Sequence, residues 1–252
     1  MCKEHKGGTY RPTAPATTAG NQPMTRTRAY LAAAMTLIVV AVVIVIIAIV
    51  FTPGDAPDHK SLLLALNDFP DGYTAGAAMS SAEAARYQRP DPQYNYQPTT
   101  CTESFATRAD QTLHTSRVGF VAEAPSAAAP QYSQYLIRND YDQQRMRNAL
   151  LNPVCAHRTV DTHASGLYSY NTSELPLPQA LDSTPAIIVR ETADITNPPA
   201  DTADHFETVA GYSWLPSGLL VSLVAEVYGR GNTVDMSQFN NLFVKATKNA
   251  SR

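Results

Sequence analysis

The feature that most constrains this 252-residue chain is a run of 21 residues without a charge, Leu31–Phe51. As a helix at about 1.5 Å per residue it would span about 32 Å, against a hydrocarbon core of about 30 Å. Its Ile, Val, Leu and Ala side chains leave no polar stripe of the kind a surface helix keeps, so the run reads as a transmembrane helix rather than a core helix. Five basic side chains, Lys3, Lys6, Arg11, Arg26 and Arg28, precede it with one acid, Glu4, for a net of +4; the following Thr52–Asp58 carries two acids and no base. Positive flanks stay in the cytoplasm, which places the N-terminus inside and the rest of the chain outside. The run exceeds the about 7–15 residues of a cleavable h-region, and no cysteine follows it to accept lipid. An uncleaved signal anchor is therefore the better reading, with cleavage near Thr52 as its alternative.

The expected organisation is a cytoplasmic disordered tail over 1–30, the anchor over 31–51, a stalk with Pro53, Gly54 and Pro57 over 52–58, and one extracytoplasmic domain over 59–252. Within the domain, Ser61–Leu66 reads as the first turns of a helix, Phe69–Tyr73 as a turn and 88–100, with three prolines, as a loop. Helices are expected near Cys101–Arg108 and from Asn139 or Asp140 to Leu151, with Tyr141, Met146 and Leu150 inward. Short β-rich runs follow at Arg117–Ala122, Ser133–Arg138, Gly166–Tyr170, Ala186–Thr192 and Phe206–Trp214. After the turn Leu215–Gly218, the odd positions Leu219, Val221, Leu223, Ala225 and Val227 form one apolar face, and the even positions form a mixed one. A closing helix has Met236, Phe239, Leu242, Phe243 and Ala246 on one side and Asp235 as its N-cap. These elements predict an α+β class: two layers, a mostly antiparallel sheet covered on one face by helices and preceded by one transmembrane helix.

The exported part has a net charge of −7, which argues against nucleic acid as a partner, because that role needs clustered Lys and Arg. It holds two cysteines, Cys101 and Cys155, and two thiols in an oxidising compartment usually pair. Closing a loop of 54 residues would contribute about 4 kcal/mol by chain entropy. Two free thiols, or a metal site with His157 and His163, are the other readings.

The Leu-rich segment, Asp68-Phe69-Pro70-Asp71-Gly72-Tyr73, a first cysteine, a helix leading to a second, Leu175-Pro176-Leu177-Pro178, the strand from Ala186, the hairpin at Gly218 and the closing helix together resemble the extracytoplasmic sensor domains of actinobacterial Ser/Thr protein kinases and related stand-alone cell-envelope proteins. The resemblance covers about residues 60–250. It implies a two-layer domain with a cleft for an envelope-derived ligand and no established catalytic residues. The kinase sensors generally carry four cysteines in two bridges, of which only Cys101 and Cys155 have counterparts here, and 30 cytoplasmic residues cannot hold a kinase.

Enzyme signatures are poor. Gly211-Tyr212-Ser213-Trp214-Leu215 fails the G-x-S-x-G elbow at its last position, no H-E-x-x-H occurs, and Gly229-Arg230-Gly231-Asn232 lacks the third glycine of a dinucleotide fingerprint. No cofactor, metal or catalytic residue is expected. The aromatic residues are more suggestive: eleven exported tyrosines include Tyr87, Tyr94 and Tyr96 among prolines, and Tyr168, Tyr170, Tyr212 and Trp214 on or beside strands. The last four are the candidate ligand-binding residues, although half-buried sheet positions suit them equally. The expectation is a single-pass, non-catalytic sensor-like module for an envelope lipid or glycan, acting through a membrane-protein partner. An envelope enzyme or accessory subunit with a dispersed site is the alternative.

Overall fold

The computed structural model describes residues 59–138, 143–163, 166–200 and 202–252. The tail, anchor and stalk expected over 1–58 lie outside the described residues, as do Tyr141 and the capping candidates Asn139 and Asp140. Among the described residues no helix is long and apolar enough to cross a membrane.

Nine strands build one sheet: β1 Thr74–Gly76, β2 Asn95–Gln97, β3 Ser116–Glu123, β4 Gln131–Arg138, β5 His157–Asp161, β6 Leu167–Leu175, β7 Ala186–Thr196, β8 His205–Trp214 and β9 Leu219–Tyr228. Their order is β1-β3-β4-β9-β8-β7-β6-β5-β2, with every neighbouring pair antiparallel. Strands β5 to β9 form a meander, so most of the pairing comes from local hairpins. The β8–β9 hairpin closes where Gly218 N–H donates to Leu215 O at 3.0 Å, and Gly218 sits at φ +78°, a conformation that glycine adopts without a Cβ penalty. Four helices accompany the sheet: α1 Ser81–Gln88, α2 Cys101–Leu113, α3 Gln143–Leu150 and α4 Met236–Ala250. Helix α1 starts at a capping box, with Glu83 N–H donating to Ser80 Oγ and Ser80 N–H to the Glu83 carboxylate. Helix α4 starts at Asp235, whose Oδ1 accepts from Ser237 and Gln238 N–H, as its sequence pattern indicates.

Side-chain alternation divides the buried residues into two cores. On one face of the sheet, Val209, the odd residues of β9, Leu136 and Ile188 pack with Phe239, Leu242, Phe243 and Ala246 of α4 and with Leu64, Phe69 and Tyr73. On the other, Tyr135, Tyr168, Tyr170, Ile187, Phe206 and Val224 pack with Cys101 and Phe105 of α2 and Met146 and Leu150 of α3. This corrects the expected fold class: instead of two layers with one covered face, a single nine-stranded antiparallel sheet dominates, and short helices lie over both of its faces. The physical reason is legible on β9. Ser222 and Glu226 on its even face look like solvent positions, yet both are buried, Ser222 in register between Tyr135 and Tyr212 and Glu226 beside the hydroxyls of Thr208 and Tyr228.

The expected helix at Ser61–Leu66 is also corrected. It is two separate 3-10 turns, His59–Leu62 and Leu66–Asp68, and the second stops where Pro70 forces Phe69 into an extended conformation, φ −92°, ψ 161°. Lys245 of α4 holds Asp68 at 2.5 Å, tying this N-terminal segment to the closing helix.

Helix α4 approaches β8 so closely that a Cβ built on Gly211 would lie 2.9 Å from the Phe243 ring, which has no exposed surface. Gly211→Ala should therefore force α4 outward and lower stability by about 1–3 kcal/mol in denaturant unfolding, whereas Gly218→Asn at the open turn should cost much less.

Candidate functional site

The four candidate aromatics all project from the α1–α3 side of the sheet, but they do not gather. Tyr168 and Tyr170 sit on β6 with ring centroids 6.1 Å apart and stacked, and Tyr170 meets Phe206 edge-on at 5.8 Å. Tyr212 and Trp214 sit on β8, in register with Ile187 and with the Pro185 carbonyl, whereas Tyr170 pairs with Ala193. Six residues of β7 between these registers correspond to about 20 Å at the usual strand rise. Tyr168, Tyr170 and Tyr212 are fully buried core residues, and Trp214 is half-buried. Burial raises the phenol pKa of Tyr168 to about 12 and that of Tyr170 well above its ordinary value, in the second case against the nearby Arg158 charge.

Between the two pairs runs a polar row. Gln131, Glu226, Thr208, Glu191 and Thr172 follow one another across β4, β9, β8, β7 and β6, all on the same face. Glu191 is ion-paired with Arg158 of β5, and the two side chains are 2% and 4% exposed. Thr172 Oγ1 lies 3.0 Å from both Arg158 Nη1 and Glu191 Oε2, closing a three-membered network, and Arg158 Nη1 also donates to Cys155 O at 3.3 Å. The guanidinium lies 4.3 Å from the Tyr170 ring centroid and 5.1 Å from that of Phe105, so one ring from the sheet and one from α2 flank it. Next to this stack Cys101 and Cys155 are bonded, with Cα atoms 5.6 Å apart, the pairing expected from the sequence; that bond removes the free-thiol and metal readings of the pair. Disulfide, ion pair and ring contacts together clamp the start of α2 to β5.

The clamp positions the loop that precedes α2. Between α1 and β2 the chain runs through Arg89-Pro90-Asp91-Pro92-Gln93-Tyr94, and beneath it opens a cleft of about 440 Å³. Its walls are the rings of Tyr87, Tyr94 and Tyr96 with Pro90 and Pro92, Val160 forms part of its lining, and Arg86 and Gln93 add polar groups. The loop is held by its own bonds: Asp91 N–H donates to Tyr96 Oη at 3.1 Å, Gln93 N–H to Asp91 Oδ1 at 2.8 Å and Tyr94 N–H to Asp91 O at 3.1 Å. Arg89 is neutralised by Asp110 at 2.6 Å. Chemically this is a preformed, aromatic-walled cleft with a polar rim and no nucleophile–base pair among its lining residues. None of the four candidate aromatics lines it. The sequence signal for it is the interleaving of Tyr87, Tyr94 and Tyr96 with prolines, which the sequence reading notes while taking the strand aromatics as its candidates.

Among the described residues Glu226 is the one buried carboxyl with a large displacement. Burial pushes its pKa up to about 8, opposed by the hydroxyls of Thr208 and Tyr228 and reinforced by the Glu191 charge. Because the folded value lies above the ordinary carboxyl value, this group's contribution to stability is complete below about pH 4.5 and is lost as pH rises through about 8. Melting temperature should accordingly fall between pH 5 and pH 9, and Glu226→Gln should flatten that fall; a variant with an unchanged slope would refute the assignment. Glu191→Ala strands a buried guanidinium and should cost about 3–5 kcal/mol in chemical denaturation, far more than loss of the exposed Arg89–Asp110 pair.

No family model and no curated protein matches the chain. Among solved structures it is similar to an uncharacterized protein of Mycobacterium smegmatis, at 9% sequence identity and a TM-score of 0.41, covering 74% of this chain and 93% of that one.

Proposed function

We propose that this chain is a membrane-anchored, extracytoplasmic and non-catalytic module that binds a glycan-bearing molecule of the cell envelope in the cleft under the loop 89–94. The apolar run 31–51 with its +4 flank supports anchorage and export, and the paired cysteines fit an oxidising compartment. The observation that carries the binding reading is the cleft of about 440 Å³, a size suited to a small ligand, with three tyrosines and two prolines in its walls and side-chain amide and guanidinium groups at its rim. Tyrosine rings offer flat apolar area to the C–H faces of a sugar and a hydroxyl at the edge, and the rim groups suit sugar hydroxyls. The likeness of the sequence to extracytoplasmic sensor domains points the same way, with a membrane-protein partner as the receiver of the binding event.

The test is calorimetric titration of the full chain in detergent with the β-1,4-linked disaccharide of N-acetylglucosamine. Saturable binding is expected, with Tyr87→Ala and Tyr94→Ala each weakening it by about 1–3 kcal/mol and Ser213→Ala, a fully buried core position, leaving it unchanged. Absence of binding would refute the glycan reading, and cleavage of the disaccharide would replace the binding module with an enzyme.

A further inference from the structure

A second cleft, of about 360 Å³, is lined by the same loop. The two share Arg89, Pro90, Asp91, Pro92, Tyr94 and Tyr96, so they are not separate cavities that happen to be neighbours. The loop residues and Tyr94 and Tyr96 contribute lining to both clefts. One wall of the second cleft is α2, where Thr102 and Ala106, one helical turn apart, present small side chains toward the loop and leave the space open. Asn95 and Gln97 supply amides along its edge, as Gln93 does in the first cleft.

The walls of these clefts are fixed before any ligand arrives. The loop keeps its shape through the three Asp91 contacts, β2 is zipped to β5 over Asn95–Gln97, and α2 is fastened at Cys101, immediately before Thr102. A preformed groove spends little binding energy on ordering itself, and aromatic and amide groups repeated in two clefts that share lining suit a ligand with a repeating unit. Building on the glycan reading above, we infer that the two clefts are consecutive subsites for one linear oligosaccharide, so that the ligand is an extended segment of a wall glycan rather than a single terminal sugar or a lipid headgroup.

Chain length is then the discriminating variable. With the full chain in detergent, the tetrasaccharide of β-1,4-linked N-acetylglucosamine should bind at least about 10-fold more tightly than the disaccharide. Ala106→Trp, a half-buried position whose enlargement fills the second cleft, should abolish that advantage while leaving the disaccharide affinity of the first cleft intact. Equal affinities for the two lengths in the unmodified chain would overturn the two-subsite inference and leave the single-cleft reading standing. A length advantage that survives Ala106→Trp would overturn it as well. Failure of both oligosaccharides to bind would instead refute the glycan reading on which it rests.

Discussion

The interaction on which the candidate site depends is the buried pair Arg158–Glu191. A guanidinium with almost no exposed surface has to be matched in charge, and here Glu191, Thr172 and the Cys155 carbonyl engage its two terminal nitrogens while Tyr170 and Phe105 flank its faces. The pair also joins pieces of chain that are far apart in sequence: β5, β6 and β7 through charge and hydroxyl contacts, α2 through Phe105. Apolar packing alone would let α2 slide over this face. A planar cation held edge-on by a carboxylate and face-on by two rings fixes both position and rotation. The disulfide adds a covalent limit at the helix start, and the cleft loop runs from α1 into β2, which is itself paired with the clamped β5.

The two faces of the sheet use different physics. On the α4 side a mainly apolar core takes in only a few polar groups, Gln134, Ser213 and the Arg190–Glu207 pair, and close approach is secured by the missing side chain at Gly211 against Phe243. On the α1–α3 side a band of hydroxyl, carboxyl and amide groups crosses the middle of an aromatic core. Such a band contributes little net stability and demands that its members find one another, which makes this face the more specific and the more easily perturbed of the two.

How legible this was in the sequence follows the same division. The hairpin at Leu215–Gly218, the apolar face of β9 and the Asp235-capped helix were readable because each combines a periodic apolar pattern with a turn or cap residue of defined chemistry. The second core was not, because Glu191, Glu226 and Arg158 carry a solvent signature and become interior beside partners contributed by other strands. Strands β1, β2 and β5 were passed over: three residues each in the first two cases give no period to detect, and β5 begins His-Arg. The pairing of Cys101 with Cys155 was readable from compartment and count. The candidate aromatics and the cleft are different sets of residues for a related reason. Tyr168, Tyr170 and Tyr212 stand on rigid strands and are taken up by packing, while the less regular Tyr- and Pro-rich loop over 87–96 provides the accessible rings.

The two outer strands of the sheet are its shortest. β1 and β2 have three residues each, while the central β7, β8 and β9 have 11, 10 and 10. A broad antiparallel sheet whose edges were as long and regular as its centre would offer each neighbouring molecule a ready row of unpaired amides and carbonyls. Stub strands truncate that row, and Pro98 immediately follows one of them and withholds a donor. Edges this brief give a neighbouring sheet little to pair with, which keeps sheet from adding to sheet and the molecules discrete.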